Sequence, residues 1–227
     1  MDELEALRHR RSVRAFEDRA IRTDVQNALR AEVAARNDAA GLHIQLILNE
    51  PRAFGTFLAR YGKFANVRNY LALVGPASPT LADACGYHGE RLVLLAESLG
   101  LSSCWVAGTF SRRRCPAEVG PGEKLAVVIA LGYGAAPGAR RSTRAVEQLG
   151  ALPAGMGWDD APAWFRRGME AAALAPTAMN QQNFRVTRVD DTHARIAPTV
   201  GPYAAMDAGI ARYNFEVGAG RESFSWA

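Results

Sequence analysis

Three features of the sequence predict an α+β protein or a three-layer α/β/α sheet protein. The predicted helices are long, whereas the predicted strands are short and do not alternate regularly with them, which disfavours a regular βαβ array. The apolar run at residues 124–131 is continuous, as in a central strand covered on both faces. No predicted strand is followed by G-x-G-x-x-G at the start of a helix, so a Rossmann-type nicotinamide site is not expected.

Hydrophobic periodicity and turn residues mark the elements of the first part of the chain. Apolar residues at helical spacing predict helices, and short apolar runs bounded by glycine, proline or asparagine predict strands. Thr23 is expected to cap the second helix, and Gly100 is a typical residue just after a helix end. The predictions are helices at residues 2–9, from Thr23 onward, 52–61 and 81–99, strands at 42–48, 70–74 and 124–131, and an apolar segment at 102–108.

A connector rich in glycine, proline and alanine at residues 149–157 is the predicted boundary between two halves. The predicted division is an N-terminal half, residues 1–150, and a C-terminal half, residues 151–227, packed as one compact unit. The second half predicts a helix at 164–174 that stops near Pro176, strands at 184–189 and 194–198, and a helix at 206–217.

Composition and charge describe an ordinary globular chain. The 227 residues are 48% hydrophobic and carry a net charge of +4, which suits an anionic ligand as well as a polynucleotide. Three cysteines without metal-ligand spacing are typical of free thiols, and no metal site is expected. No apolar signal segment and no run of membrane-spanning length occurs, so we expect a cytoplasmic protein that does not enter a membrane.

The chemistry-bearing stretch closest to the start is Arg10-Arg11-Ser12-Val13-Arg14-Ala15-Phe16. Guanidinium groups offer forked donors that match two phosphate oxygens, and a hydroxyl adds another donor. The stretch therefore predicts an anion site, most simply for a phosphate monoester on a cofactor. The alternative is a solvated basic turn, including one that faces nucleic acid.

Two further stretches could bind a ligand. Residues 175–182 read APTAMNQQ, and their side-chain amides suit a ring whose edge alternates N–H and C=O groups, as in flavins, pteridines and purines. Residues 100–108 read GLSSCWVAG, and small residues there allow a ligand to approach the backbone closely. The alternatives are a helix-ending turn for the first stretch, and a helix end followed by a buried strand for the second.

Taken together and in this order, the three stretches resemble the nitroreductase family of FMN-dependent oxidoreductases. The family's R-x-S-x-R-x-F pattern is matched at residues 10–16, its GLGS-x-W-x-x-G pattern at residues 100–108, and its A-P-S-x-x-N-x-Q pattern at residues 175–182, with Thr177 in place of serine. A basic loop after the last long strand is matched at residues 141–148. The resemblance implies a three-layer fold with a central mixed, mainly antiparallel sheet.

One departure points to a particular branch of the family. In common members the A-P-S-x-x-N-x-Q loop follows soon after the arginine pattern, whereas this chain carries it near the C-terminus. This placement resembles the divergent branch named "putative TM nitroreductases", in which the second half echoes the first. Ordinary members are homodimers with FMN at the subunit interface, so the resemblance implies either a homodimer or a single-chain, fused pseudo-dimer of two halves.

The resemblance also implies roles for individual residues. Arg10, Arg11, Ser12 and Arg14 would hold the FMN phosphate and ribityl chain, and Arg141 or Arg144 would close on the phosphate. Lys63 would be a cation near the pyrimidine end of the flavin. The residues implied to line or face the isoalloxazine ring are Val106, Ala107, Gly108, Pro176, Thr177, Asn180 and Gln182.

These roles imply an FMN-dependent NAD(P)H oxidoreductase that works by ping-pong hydride transfer through flavin N5 to a nitro-aromatic or quinone-type acceptor. Such chemistry needs no dedicated protein nucleophile, and no G-x-S-x-G or H-E-x-x-H motif is present. One alternative is a non-catalytic flavin-binding or sensing protein of the same fold. A nucleic-acid-binding protein is disfavoured, because no helix-turn-helix, zinc or RNA-recognition signature accompanies the basic clusters.

Overall fold

The computed structural model describes residues 1–138 and 142–227, and within them it confirms the α+β class. The described residues form seven α-helices and eight strands, most of them at the predicted positions. The helices are α1 (Glu3–His9), α2 (Thr23–Ala40), α3 (Phe57–Tyr61), α4 (Leu81–Ser98), α5 (Val146–Leu149), α6 (Ala163–Ala172) and α7 (Ala204–Ala219). The strands are β1 (Gln45–Ile47), β2 (Asn69–Pro76), β3 (Ser102–Val106), β4 (Glu123–Gly132), β5 (Gly150–Ala151), β6 (Phe184–Arg188), β7 (His193–Pro198) and β8 (Ser225–Trp226).

The chain forms two compact units, each with its own four-stranded sheet. Among the described residues, the first unit contains residue 1, residues 9–81 and residues 92–138, and the second contains residues 2–8, 82–91 and 142–227. The units therefore interleave along the chain, and α4 contributes residues to both. The strands form two sheets where the resemblance implied one central sheet. The predicted division into halves at residue 150 stays a prediction.

The sheet of the first unit is antiparallel throughout, in the order β1-β2-β4-β3. The central position predicted for residues 124–131 is correct, because β4 pairs with β2 on one side and β3 on the other. Residues 70–74 of β2 and 128–131 of β4 are fully buried, which explains why both strands are continuous apolar runs. One side of this core contains the packed rings of Phe54, Phe64, Tyr70 and Phe110.

Two predicted helix starts in the first unit are wrong. Thr23 is the first helical residue of α2 and not its cap, since the capping position belongs to Arg22, which makes no side-chain cap hydrogen bond. The helix predicted at residues 52–61 begins only at Phe57, where Thr56 accepts a hydrogen bond from the backbone N–H of Ala59 at 3.3 Å. The residues before it form a turn, because the Glu50 carboxylate accepts the backbone N–H groups of residues 52 and 53.

The sheet of the second unit is mixed, in the order β5-β6-β7-β8. The predicted strand pair is confirmed as the antiparallel hairpin β6–β7, whereas β5 and β8 add parallel edges of two residues each. Such short strands carry no alternating pattern, which is why the sequence does not reveal them. Helices α6 and α7 pack on each other through a cluster of aromatic side chains, made of Trp164, Phe165, Phe215, Phe224 and Trp226.

Within the second unit, residues 82–91 of α4 and the helix α7 approach closely at two glycines. A Cβ atom placed on Gly86 would lie 2.2 Å from the backbone oxygen of Met206, and one placed on Gly209 would lie 2.2 Å from the backbone oxygen of Asp83. No side-chain rotation relieves a clash with backbone, so both positions require the absence of a side chain.

We therefore expect Gly86→Ala and Gly209→Ala each to lower the free energy of unfolding by about 1–3 kcal/mol, as overpacked positions do. Gly157→Ala is the matched control, because Gly157 is exposed and its added Cβ would meet only the mobile carboxylate of Asp160 at 3.1 Å. Urea denaturation checks the expectation. Equal stabilities for the three variants would show that the helices do not pack through these glycines.

Candidate functional site

The main chain of the arginine segment, residues 10–16, is held in place by hydrogen bonds on both sides. The N–H of Val13 donates to the Ser103 oxygen at 2.9 Å, which adds the segment to the free edge of β3. The N–H of Ala65 donates to the Arg14 oxygen at 3.0 Å, and the N–H of Phe16 donates to the Ala65 oxygen at 3.1 Å. The segment is thus fixed between a strand edge and the turn that follows α3.

The loop after β4 completes this frame. The N–H of Ala135 donates to the Ala15 oxygen at 3.0 Å. Gly138 approaches the arginine segment so closely that a Cβ there would lie 2.6 Å from the Cβ of Arg11 and 2.8 Å from the backbone oxygen of Ser12. The loop and the arginine segment can approach in this way only because residue 138 is glycine.

The side chains of the segment divide between the core and the surface. Val13 and Phe16 are buried in the core of the first unit. Arg11 and Ser12 are half-buried, and Arg14 is exposed with its guanidinium 5.9 Å from the Phe64 ring. Two buried side chains therefore anchor a short strip that presents two arginines and one hydroxyl.

Arg10 differs from the other arginines, because it is only 1% exposed. The half-buried carboxyl group of Glu97, on α4, interacts electrostatically with the Arg10 guanidinium. Burial raises the pKa of Glu97, and the positive charge of Arg10 is the largest opposing influence. The sequence shows the three arginines as alike, whereas the structure places Arg10 inside and near a carboxyl group.

The thiol of Cys104 lies next to the same segment and remains protonated. Burial raises its pKa, while the charges of Arg14 and Arg10 and a hydrogen bond from Ser12 act in the opposite direction. Since the thiolate is the reactive form of cysteine, this thiol is a packing group and not a nucleophile.

The other predicted residues of the first unit lie on the turn after α3 and at the end of β3. Lys63 is exposed and has a positive φ of 60°, two residues before Ala65 in the turn that contacts Arg14. Val106 is the buried last residue of β3, Ala107 is half-buried and Gly108 is exposed. A Cβ on Gly108 would meet no atom within 4 Å, so the backbone there faces open space.

In the second unit, the amide loop, residues 175–182, has an unusual backbone. Met179, Asn180 and Gln182 have φ values of +49°, +56° and +53°, in the left-handed region that favours glycine. Pro176 and Thr177 are buried, whereas Met179 and Asn180 are exposed. Three non-glycine residues in this region within four positions form a strained turn, and such strain concentrates at functional sites.

Gln182 supports this turn from inside. Its side chain is 2% exposed and makes two hydrogen bonds, donating to the Ala173 oxygen at 2.8 Å and accepting from the backbone N–H of Arg144 at 2.7 Å. Its own backbone N–H donates to the hydroxyl of Thr177 at 3.0 Å. The Gln182 amide therefore makes its hydrogen bonds within the protein, as does the hydroxyl of Thr177.

Asn180 lies on the outer side of the turn and donates to the backbone oxygen of Ser142 at 2.8 Å. The side chain of Arg144 is exposed. Within the second unit, hydrogen bonds connect Gln182 to Arg144 and to Thr177, and Asn180 lies on the same turn. Arg141 lies outside the described residues.

Asp207, in the first turn of α7, is a residue of this site that the sequence analysis did not select. It is 2% exposed, and its Oδ1 accepts the backbone N–H of Ala178 at 2.9 Å. Burial raises its pKa, and interactions with the backbone of residues 178 and 183 offset part of that rise, so that the pKa is about 6. An aspartate in the first turn of a helix usually indicates only stabilisation of the helix start. The sequence therefore contains no signal that marks Asp207 as part of this site.

Two histidines pair with carboxylates, although no motif predicted this. His43 lies 3.0 Å from a Glu123 oxygen, and His193 lies 2.9 Å from an Asp190 oxygen. In the part of the chain that the structure describes, no group of three or more histidine, cysteine, aspartate or glutamate residues is placed to hold a metal. No helix among the described residues is long and apolar enough to cross a membrane.

The fold is that of nitroreductases. A "putative nitroreductase" from Thermotoga maritima superposes with a TM-score of 0.69 over 98% of this chain and 85% of its own, at 20% identity. A "putative nitroreductase" from Desulfovibrio desulfuricans, in complex with FMN, gives 0.52 over 66% of this chain and 95% of its own, at 20% identity. A nitroreductase family protein from Streptococcus pneumoniae gives 0.52 over 65% and 98%, at 15% identity.

The family follows from the sequence as a whole. The family model described as "Putative TM nitroreductase" matches residues 2–219, which is nearly the entire chain. The protein belongs to this family, and the resemblance stated from the three motifs is confirmed. No curated protein has a matching sequence.

The raised pKa of Asp207 predicts a pH dependence of stability. A carboxyl group with a pKa of about 6 when folded and 3.8 ordinarily binds its proton more tightly in the folded state. Protonation therefore stabilises the fold, and this contribution is lost as the pH rises from about 4 through 6. A shift of two units corresponds to about 3 kcal/mol.

Asp207→Asn removes the titrating group, so the variant is expected to gain stability relative to the wild type as the pH rises. We expect the difference in unfolding free energy to change by about 1–3 kcal/mol between pH 4 and pH 7.5, measured by urea denaturation at each pH. Parallel curves for the two proteins would contradict the raised pKa.

Proposed function

We propose that the protein is an FMN-dependent NAD(P)H oxidoreductase that reduces nitro-aromatic or quinone-type acceptors. Family membership and the nitroreductase fold support this class of activity. The related fold from Desulfovibrio desulfuricans, which is in complex with FMN, supports the choice of cofactor. The binding of that cofactor depends on the protein's own residues.

The observation that carries the proposal is the construction of the arginine segment. Its backbone is held by the hydrogen bonds to Ser103, Ala65 and residue 135, so its main chain is already in place before any ligand binds. Arg11, Ser12 and Arg14 then present two guanidinium groups and a hydroxyl from a fixed strip. This donor set fits a phosphate monoester, since a guanidinium can donate parallel hydrogen bonds to phosphate oxygens. The Nη1 of Arg11 donates to the backbone oxygens of His9 and Arg10 at 3.1 and 2.9 Å, so its other N–H groups are the ones proposed to face the phosphate.

Arg10 is proposed to act differently from its neighbours. A guanidinium that is 1% exposed adds positive charge beneath the strip, and the carboxyl group of Glu97 limits that charge. In this proposal Arg11, Ser12 and Arg14 touch the phosphate, while Arg10 strengthens the local positive potential. Arg141 and Arg144 remain proposed as further phosphate contacts.

The amide loop fits the edge of a flavin ring. The exposed amide of Asn180 supplies a donor and an acceptor without charge, as an alternating edge requires. Thr177 and Gln182 are proposed to support that shape from below, and Pro176 to pack beside them. The proposed backbone contacts to the ring come from Val106, Ala107 and Gly108, where open space allows close approach.

Bound FMN would supply the two-electron redox chemistry between NAD(P)H and the acceptor. The protein's own residues would bind and orient the cofactor and balance its charge: the arginine strip would hold the phosphate, and Lys63 would place a positive charge near the pyrimidine end of the ring. NAD(P)H and the acceptor are proposed to use the site in turn.

The assembly and location are proposed on the same basis. The chain is proposed to be either a homodimer or a single-chain pseudo-dimer of two halves. The three cysteines are free, as is usual in the reducing cytoplasm.

The arginine strip can be tested by replacing both Arg11 and Arg14 with alanine. Each charge-assisted hydrogen bond contributes about 1.5–3 kcal/mol, so the double variant is expected to bind FMN at least about 100-fold more weakly. Titration of the apoprotein with FMN, followed by flavin fluorescence, measures the dissociation constant.

The matched control replaces Arg30 and Arg113, which are exposed arginines of the same unit outside the strip. This control loses the same net charge and should bind FMN nearly as the wild type does. If the first pair loses only stability while its FMN affinity stays at the wild-type value, the strip does not hold the phosphate.

A further inference from the structure

The amide loop needs an external support, because its conformation is not one that its residues prefer. Met179, Asn180 and Gln182 are not glycines, yet each has a positive φ. A side chain in this region crowds its own backbone, so the free chain would leave the conformation. Something outside the turn must therefore hold it.

Asp207 provides a support of the required kind. Its Oδ1 atom accepts the backbone N–H of Ala178 at 2.9 Å. Ala178 immediately precedes the first of the three left-handed positions. One side chain, carried on α7, therefore holds the start of the turn.

The position of Asp207 is costly, which indicates that it has a role. The side chain is 2% exposed, and among the described residues its Oδ2 atom has no hydrogen-bond partner. A buried carboxylate with one oxygen unsatisfied is unfavourable relative to a neutral residue. An aspartate whose only task was to begin a helix could remain exposed.

The other supports of the loop are of a different kind. Gln182 donates its backbone N–H to the Thr177 hydroxyl and its side-chain amide to the Ala173 oxygen, so it holds the loop to itself and to the end of α6. The N–H of Thr199 donates to the Asn183 oxygen at 3.1 Å, which extends the contact toward β7. Asp207 ties the loop to α7.

We propose that Asp207 is a positioning residue that fixes the left-handed turn at residues 179–182 and thereby sets the direction in which Asn180 faces the cofactor. The part that concerns the cofactor rests on the proposed function. The part that concerns the shape of the turn stands on the hydrogen bonds alone.

The test compares three variants of the full chain. Asp207→Ala removes the acceptor, whereas Asp207→Asn keeps an oxygen that can accept the same N–H group. Ile210→Ala is the matched control, because Ile210 lies one turn further along α7 and is a buried apolar residue with the same 2% exposure. Any effect of general destabilisation appears in the control as well.

Hydrogen exchange of the backbone amide of residue 178 in the FMN-free protein reports directly whether the start of the turn is held. We expect Asp207→Ala to lose protection at this amide by about tenfold or more, relative to β6 amides in the same molecule. Asp207→Asn and Ile210→Ala are expected to keep the wild-type ratio. Unchanged protection in Asp207→Ala would overturn the proposal.

FMN affinity, measured by fluorescence titration, tests the link to the cofactor. We expect about a tenfold or greater loss of affinity for Asp207→Ala and near-wild-type affinity for Asp207→Asn. Lost protection with unchanged affinity would overturn the cofactor part. If the wild type itself binds no FMN, the proposed function fails, and the exchange result alone decides the role of Asp207.

A second variant keeps the test decisive if Asp207→Ala does not fold. Ala178→Pro removes a donor instead of the acceptor, and the extended backbone of Thr177, with φ −77° and ψ 158°, is compatible with a following proline. Its turn is expected to loosen, so it should lose protection at the amides of Asn180 and Gln182, which both donate to Thr177, and lose FMN affinity. A wild-type result for Ala178→Pro would contradict the proposal.

Discussion

The hydrogen bonds that hold residues 12–16 between β3, the turn after α3 and the loop after β4 are the constraint on which the first unit depends. They use the backbone of the arginine segment for structure, and Val13 and Phe16 anchor it in the core. Only the side chains of the intervening residues are left to meet a ligand. A flexible basic turn would have to be ordered on binding, at a cost in conformational entropy, whereas this strip is already ordered.

The amide loop of the second unit is also held in one conformation, but by different interactions. The loop is strained, and buried polar groups maintain the strain: Gln182 and Thr177 from within, and Asp207 from α7. Buried polar groups that are hydrogen-bonded help to specify a single shape. Both candidate elements are thus pre-organised, one by backbone pairing at a sheet edge and the other by side chains beneath a turn.

Much of this could be predicted from the sequence, and the limits have physical causes. Long apolar runs and helical periodicity located β2, β4, α4 and α7, because burial on one face or both dictates those patterns. The motifs located the arginine strip and the amide loop. The burial of Arg10 and the role of Asp207 could not be predicted, since both depend on contacts between residues far apart in the chain. The same is true of β5 and β8, whose existence depends only on a neighbouring strand.

If the protein is an FMN-dependent oxidoreductase, it must bind FMN and use it for electron transfer. The visible spectrum of the protein tests both, after incubation with FMN and removal of excess cofactor, recorded anaerobically before and after NADH or NADPH is added. We expect a flavin spectrum that bleaches with at least one of the two donors. A retained flavin that neither donor bleaches would identify a binding or sensing protein, and the absence of retained flavin would contradict the proposed function altogether.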